Sequence, residues 1–431
     1  MELNVSEMRY TVISKGLELR SIELECLRLG AANIRVAPAI RQVFCDLEPQ
    51  AAQLLSQIPG VVVKPIKEVK AEQVTATAPA ASLSQLFYEL RAAVEPPLTG
   101  TGLTVAVLDS GIKKTHKCFD GIKVVHEANF SGAQDTSDHF DHGTGVASLI
   151  AGGRHAEGEE AGVSPGAYLM NIKVIDDEGV GTDESVILGI EEVCNLAQAA
   201  RLRGLFHTEA LYPNLMNLSF GGDDDGDADN PIRAACRQAS LEYGIDVLAA
   251  AGNTGPKISS VMLPASEPEV IAVGAIESEV FHIWERSARG PTKAGDTKPD
   301  FVSWGTNLNV ASAKGDDEYT VKSGTSFSAP IVSGLTGLIW ETGRRIYGDD
   351  WYLRWRDIKS FAPFLCLKPE DAPLKKDNAY GYGLPAMGSI IGSLGGGNSS
   401  GMMTSELTTG VMGIGLIGMM VSLIGGTRYV S

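Results

Sequence analysis

The sequence predicts an α/β protein with a doubly wound, mostly parallel sheet, preceded by a small α/β module. An apolar run from Leu103 to Leu108, rich in β-branched residues, predicts a buried parallel strand. Strand-like and helix-like patterns alternate before it, over residues 8–70. The 431 residues exceed one average domain, and 44% hydrophobic residues with 49 glycines suit a turn-rich α/β fold.

Three polar residues stand at the ends of predicted elements. Asp109 ends the predicted strand, at the edge where open α/β sheets place their sites. His142 is followed by Gly-Thr-Gly and a run of small and apolar residues that predicts a helix. Ser326 precedes a further predicted helix, and Pro330 is expected in the first turn of that helix.

The combination of Asp, His and Ser predicts acyl transfer. A serine hydroxyl becomes a nucleophile when a neighbouring imidazole takes its proton. A carboxylate on the far imidazole nitrogen fixes the tautomer and stabilises the imidazolium. Asp109, His142 and Ser326 are therefore the candidate catalytic residues, and this chemistry requires no cofactor.

Residues 98–390 resemble the subtilisin-like (subtilase) serine proteases beyond these three segments. Asn217–Gly222 is similar to the family's strand along the substrate cleft. Ala249–Asn253 is similar to its oxyanion-hole strand, and Tyr380–Leu384 to the end of its catalytic domain. The resemblance implies a subtilisin-like fold and a peptide or protein substrate.

The resemblance also implies residue roles. Asp109, His142 and Ser326 would form the triad, and Asn253 would donate a hydrogen bond to the oxyanion. The implied substrate-binding residues are Ser219, Phe220, Gly221, Asp223, Asp224 and Asp225.

Two neighbouring residues compete with this assignment. His139 lies three residues before His142 but lacks the Gly-Thr-Gly, so we interpret it as a loop histidine. Asn217 competes with Asn253, and we expect it to bond to backbone beside the cleft. Asp141 departs from the family pattern, which has Gly before the histidine. We expect its side chain to face solvent, and the alternative is a charge that favours the imidazolium.

Charge and cysteine usage exclude several classes. The net charge of −17 argues against a nucleic-acid partner, which would require a basic patch. The six cysteines are scattered and form no Cys-x-x-Cys, which indicates reduced, mostly buried thiols.

The first 70 residues resemble the inhibitory propeptides of subtilases. They predict a strand from Arg9, a helix over Glu18–Leu29, an extended stretch over Asn33–Leu47, a helix over Pro49–Gln57 and a last strand over Val61–Val69. The chain's own propeptide would then act as an intramolecular inhibitor. The alternative is an unrelated α/β appendage. The predicted organisation is a module at 1–70, a linker with one short helix at 71–97, a catalytic domain at 98–392, a Gly/Ser linker at 393–406 and a hydrophobic tail at 407–431.

An acidic run from Asp223 to Asp229 follows the predicted cleft strand. Acidic residues there would attract a basic P1 side chain, with Lys70 as the processing site and Lys67 at P4. The same run could bind a structural Ca²⁺ through oxygens, or could be a solvated loop.

The C-terminal tail has no ionisable residue over 407–427. A helix of that length would reach about 30 Å, enough to cross a bilayer. A membrane anchor, a partner-docking segment and a disordered tail all remain open. The N-terminus shows no signal-peptide pattern, so a cytoplasmic location is expected, with membrane association if the tail is an anchor.

These observations together predict a serine endopeptidase made as a self-processed zymogen. Two alternatives remain: a transpeptidase or macrocyclase that resolves the acyl-enzyme with an amine, and a latent, propeptide-bound scaffolding component.

Overall fold

The computed structural model describes residues 7–72, 74–75, 83–92, 94–119, 123–153, 162–278, 281–370 and 372–386. The predicted Gly/Ser linker and the hydrophobic tail lie outside these residues. Within the described ranges, no helix combines the length and apolar character that a membrane crossing needs.

The N-terminal residues form a four-stranded antiparallel sheet with two helices against it. The strand order is β2-β3-β1-β4. The elements are β1 Met8–Ser14, α1 Leu19–Arg28, β2 Ala32–Ala37, β3 Gln42–Leu47, α2 Pro49–Ser56 and β4 Val61–Pro65. Ile22 and Leu55 of the helices pack with Val12 and Val43 of the sheet in a separate small core. The expected extended stretch over 33–47 is therefore two strands, and the expected last strand ends at Pro65.

The end of the predicted module and the described part of the predicted linker contact the main domain. The module ends with β5 Glu68–Lys70, and the linker contains β6 Val74–Thr75 and α3 Ser84–Ala92. Strand β5 pairs antiparallel with β10, Val180–Thr182. Strand β6 pairs antiparallel with β16, Tyr319–Ser323, which also pairs with β15, Leu308–Ala311.

The main domain is built on a seven-stranded sheet in which every neighbouring pair is parallel. Its order is β14-β13-β12-β11-β7-β9-β8. The strands are β7 Thr104–Asp109, β8 Val124–Asn129, β9 Tyr168–Lys173, β11 Leu215–Leu218, β12 Asp246–Ala250, β13 Ile271–Ile276 and β14 Phe301–Trp304; a short pair is formed by β17 Cys366–Leu367 and β18 Leu384–Pro385. All six residues of β7 are buried, because helices cover both faces of the sheet.

The helices divide between the two faces and create two cores. They are α4 Gly143–Ala151, α5 Asp183–Leu202, α6 Pro231–Leu241, α7 Thr325–Tyr347 and α8 Trp355–Leu365. Val146 of α4 and Ile331 of α7 belong to one core, whereas Ile190 of α5 and Ile232 of α6 belong to the other. The prediction of a doubly wound, mostly parallel α/β fold is confirmed.

The N-terminal sheet rests on helix α5. The backbone N–H groups of Ala39 and Ile40, in the turn between β2 and β3, donate to the two carboxylate oxygens of Glu191 at 3.0 and 2.9 Å. Glu191 is buried, and burial raises the pKa of its carboxyl. A buried acceptor shared by two backbone donors fixes this turn on the helix.

Replacing Glu191 with Ala is expected to lower the free energy of unfolding by about 1–3 kcal/mol for each buried donor left unpaired. The measurement is urea unfolding in a Ser326→Ala background, which excludes self-cleavage. Glu192→Ala is the matched control, since Glu192 bonds only the half-buried His126 among the described residues and is expected to cost about 0–1 kcal/mol. Equal midpoints for the two variants would contradict this role of Glu191.

Candidate active site

Asp109 and His142 form a buried pair at the carboxyl edge of the sheet. The imidazole Nδ1 of His142 donates to Asp109 Oδ1 at 2.7 Å, and Ser110 N donates to the same oxygen at 2.8 Å. Both side chains are buried: 0% of the His142 side chain and 1% of the Asp109 side chain is exposed. With the proton on Nδ1, the far nitrogen of the ring is a base.

A second carboxylate holds the loop that carries His142. Asp138 accepts from the backbone N–H groups of Asp141, His142 and Thr144, at 2.8, 3.3 and 2.9 Å, and from Ser110 Oγ at 2.8 Å. It therefore acts like a helix cap for α4 while tying that helix to the end of β7. The sequence analysis missed Asp138, which lies four residues before the N-cap residue His142 and therefore outside the usual capping position. His139 is exposed and bonds Asp135, as a loop histidine does.

The expectation that Asp141 faces solvent is wrong. Its carboxylate accepts from Ser312 Oγ at 3.0 Å and from Ala313 N at 2.6 Å, and it lies 3.2 Å from the ammonium of Lys322. Burial lowers the pKa of Lys322, and the Asp141 charge offsets this effect. The backbone of Asp141 has φ 66°, a left-handed conformation that Asp tolerates better than most residues. The Asp141 carboxylate beside His142 is thus paired with the Lys322 ammonium.

Ser326 is the second residue of α7, and a proline shapes its surroundings. The helix begins at Thr325, so Pro330 lies beyond the first turn where it was expected. Pro330 has no N–H to donate to the carbonyl of Ser326 four residues earlier. Ser219 Oγ donates to that carbonyl instead, at 2.8 Å. Ser219 therefore supports the turn that carries Ser326.

Asn217 supports the same turn from one step further away. Its Nδ2 donates to Ser219 Oγ at 2.9 Å, and its Oδ1 accepts from Ser333 Oγ of α7 at 2.9 Å. Asn217 is fully buried. Both ends of its amide are thus occupied by side chains, in place of the expected backbone bonds.

Asn253 is oriented as a hydrogen-bond donor. Its Oδ1 accepts from both the backbone N–H and the hydroxyl of Thr325, at 2.9 and 3.0 Å. Because the oxygen is bound on the Thr325 side, the Nδ2 group faces away from it. Thr325 also accepts from Gly252 N at 3.1 Å. Thr325 was not predicted, because only the tertiary structure places it against Asn253.

The imidazole lies beside the helix turn that carries Ser326. The ring centroids of His142 and Phe327 are 5.4 Å apart, and Phe327 directly follows Ser326. Among the described residues, His142 Nε2 and Asp109 Oδ2 are buried and have no hydrogen-bond partner. The basic nitrogen is therefore available for proton transfer. The structure brings Asp109, His142, Ser326 and Asn253 to one place.

A small cavity opens at Ser326. The main domain contributes Phe220, Gly221, Ala250, Gly252, Asn253, Met262, Thr325 and Ser326, and the N-terminal segment contributes Lys70 and Glu72. Among the described lining residues that come from the main domain, none is acidic, so these residues offer no counter-charge to a basic P1 side chain.

The predicted processing residue Lys70 is fixed upstream of this position. Its N–H donates to Gly221 O at 2.9 Å, and its carbonyl accepts from Gly221 N at 3.0 Å. Its ammonium is exposed and lies 3.6 Å from Glu68. A carbonyl already bonded to Gly221 cannot also accept from Asn253 in the reactive geometry, so the structure argues against Lys70 as the processing site.

The acidic loop holds the N-terminal residues instead of lining the cavity. Asp225 pairs with Lys67 at 2.8 Å and Asp229 with Lys15 at 2.5 Å. Asp227 bonds Lys64, whose ammonium lowers the pKa of that carboxyl. Ion pairs that are this exposed add little to the free energy of unfolding, so their main effect is to fix where the N-terminal residues lie.

The remaining carboxylates of the loop differ in their surroundings. Asp224 is buried and pairs with Arg233 at 2.7 Å, whereas Asp223 is exposed. Within the described residues, no three His, Cys, Asp or Glu side chains are grouped to hold a metal. All six cysteines are free, and five are buried.

Comparison with known proteins identifies the family. A model of the subtilase family matches residues 100–383, more than half of the chain. The chain therefore belongs to the subtilase family of serine peptidases.

Individual relatives agree with this assignment. Serine protease AprX of Bacillus subtilis (strain 168) is 30% identical over 275 residues, which cover 59% of this chain and 60% of that protein. Subtilisin DY of Bacillus licheniformis is 31% identical over 243 residues, 56% of this chain and 77% of that protein. The crystal structure of fervidolysin from Fervidobacterium pennivorans, a keratinolytic enzyme related to subtilisin, matches with a TM-score of 0.68 and 19% identity, over 91% of this chain and 62% of that one. At that identity the likeness concerns the fold alone.

Replacing Asn253 with Ala is expected to lower kcat about 10²–10³-fold and to leave KM unchanged, because the lost Nδ2 donor would bond the developing oxyanion and not the bound substrate. Steady-state kinetics on a fluorescent peptide, normalised to titrated active sites, measures this effect. Asn217→Ala is the control, and its main effect is expected to be a lower unfolding midpoint. An equal loss of kcat in Asn217→Ala at an unchanged midpoint would contradict the assignment of Asn253.

Replacing Asp141 with Ala is expected to cost about 3–5 kcal/mol of unfolding free energy, because Lys322 is left buried without its counter-charge. Urea unfolding in the Ser326→Ala background measures the loss, and adding Lys322→Met is expected to recover part of it. Lys314→Ala serves as the control, since its side chain is 73% exposed. An unchanged unfolding midpoint in Asp141→Ala would show that the Asp141 carboxylate does not stabilise the buried Lys322 ammonium.

Proposed function

We propose that this subtilase is a serine endopeptidase made as a self-processing zymogen, with Asp109, His142 and Ser326 as its triad. The observation that carries the proposal is the buried 2.7 Å bond between Asp109 and His142, beside the helix start that holds Ser326. A buried carboxylate–imidazole pair next to a serine at a helix N-terminus suits general-base activation of that serine.

Acylation follows from the positions of these groups. His142 Nε2 takes the proton of Ser326 Oγ as the oxygen attacks the substrate carbonyl. The oxyanion receives hydrogen bonds from Asn253 Nδ2 and from the Ser326 backbone N–H, which belongs to the first turn of α7 and has no acceptor within the helix. His142 then protonates the leaving amine, and the C–N bond breaks.

Deacylation repeats these chemical steps with water as the nucleophile. His142 removes a proton from the water, and the ester to Ser326 opens to a carboxylic acid. Asp109 keeps the imidazole in one tautomer through both halves and stabilises the imidazolium that forms in each. Asn217 and Ser219 are positioning residues, since they act through the helix turn that carries Ser326.

The zymogen proposal is supported by the contacts of the N-terminal residues. Strand β5 lies between β10 and Gly221, and Glu72 reaches the cavity at Ser326. An incoming peptide would need the same backbone partners. The docked chain thus blocks the cleft until the covered segment is cut and leaves.

The test is the intact mass of the purified wild type beside Ser326→Ala, followed by an assay on casein. We expect the wild type to lose about 70 N-terminal residues, as the contacts of β5 imply, and to hydrolyse casein. The Ser326→Ala chain should stay whole and inactive. A Ser326→Ala chain that is processed equally would contradict self-processing.

Two further outcomes separate the alternatives. If excess amine diverts the acyl-enzyme from acid to amide products, the chain is a transpeptidase. If the wild type stays whole and shows no hydrolysis, the latent scaffold is the better description.

A further inference from the structure

We infer that the chain cuts itself at the peptide bond on the carboxyl side of Glu72, so that Glu72, not a lysine, is the P1 residue of self-processing. The inference rests on the proposed function and specifies the bond on which it acts. It follows from where the backbone is held on each side of Ser326.

Upstream of Glu72, the chain is inserted as a strand between two partners. Strand β5 pairs antiparallel with β10, and Lys70 exchanges both of its backbone hydrogen bonds with Gly221 on the other side. Ala71 N then donates to Gly179 O at 3.1 Å. The backbone is thus held continuously up to the residue before Glu72.

Val69 fixes the register of this insertion. Its side chain is only 2% exposed and belongs to the core beneath α5 and α6. It sits between two glycines: a Cβ at Gly181 or at Gly222 would lie 3.1 Å from its methyl groups. A slip of two residues would bring Lys67 or Ala71 here, either burying an ammonium or leaving a void.

Downstream of Glu72, the chain is held again. Val74 is paired antiparallel with Ser323, three residues before Ser326. The covalent path from Lys70 to Val74 therefore crosses the site between Gly221 and the start of α7. Glu72 is the middle residue of that path, and it lines the same cavity as Ser326 and Asn253.

The carbonyl groups along this path are not equivalent. The carbonyl of Lys70 is bonded to Gly221 N, so it is unavailable to the oxyanion donors. Among the hydrogen bonds between described residues, the Glu72 backbone takes part in none. Within the described residues, no hydrogen bond therefore holds its carbonyl away from Ser326 Oγ and Asn253 Nδ2.

The reaction is balanced without a co-reactant other than water. Ser326 Oγ bonds to the Glu72 carbonyl carbon, and its proton passes through His142 to the amide nitrogen of residue 73. The bond between residues 72 and 73 breaks. Water then releases Glu72 as a free carboxylate and restores Ser326, and Gln73 becomes the new N-terminus.

The lysines before Glu72 have a separate role in this scheme. Lys67 and Lys64 bond the acidic loop at Asp225 and Asp227, several residues from the bond that is cut. They hold the precursor in register but do not enter the cavity. The ammonium of Lys70 is exposed and lies 3.6 Å from Glu68, so removing its charge should leave the position of the cut unchanged.

The experiment follows the full chain by intact mass and tandem mass spectrometry after cell-free synthesis. We expect a small fragment that ends at Glu72, identified by its C-terminus, because an N-terminal Gln can cyclise with loss of ammonia. Lys70→Ala should be cut at the same bond, because the backbone register that places Glu72 does not depend on the Lys70 side chain. Glu72→Pro should be cut about 100-fold more slowly, because the ring fixes φ near −65° and misplaces the carbonyl.

Two controls separate the possible failures. Glu72→Pro combined with Ser326→Ala should unfold at the midpoint of Ser326→Ala, which distinguishes a misplaced bond from a damaged fold. Ser326-dependent cutting after Lys70, or at any other bond, would overturn the inference and leave the endopeptidase proposal standing. So would an uncut chain that still hydrolyses casein. An uncut chain that hydrolyses nothing would overturn both.

Discussion

The contact between Asp109 and His142 is the one on which the rest of the site depends. Taking a carboxylate out of water is costly unless hydrogen bonds replace the lost hydration. Here the imidazole and the N–H of Ser110 supply those bonds at 2.7 and 2.8 Å. The pair can form only if the end of β7 and the start of α4 are held rigidly, and Asp138 does this by bonding both.

Support for the nucleophile comes through a second group of contacts. Pro330 removes one helix hydrogen bond, and the hydroxyl of Ser219 replaces it at the carbonyl of Ser326. Asn217 then fixes Ser219 from strand β11. Strand β11 and helix α7 are therefore one hydrogen-bonded unit, and the strand along the proposed cleft also fixes the turn that carries Ser326.

The acidic side chains of this molecule pair with its own lysines, whereas their place in the sequence suggested a site for a basic substrate side chain. The acidic loop after the cleft strand is an expected binding site for basic side chains, and it does bind lysines. They are the chain's own, from the N-terminal sheet and the segment before β5, and they lie outside the cavity at Ser326. Asp141 is likewise paired with a lysine of the chain itself, because the Lys322 ammonium lies 3.2 Å from its carboxylate.

The sequence by itself determined the fold class, the strand that ends at Asp109 and the helix starts at His142 and Ser326, because those depend on local hydrophobic period, glycine placement and motif order. The N-terminal strands and helices were also predictable from their periodicity, apart from the division of residues 33–47 into two strands. Only the tertiary structure decided the register of residues 68–72 in the cleft, the orientation of Asn253 by Thr325 and the partner of Asp141. Each of them depends on groups tens to hundreds of residues apart, whose proximity no local pattern encodes.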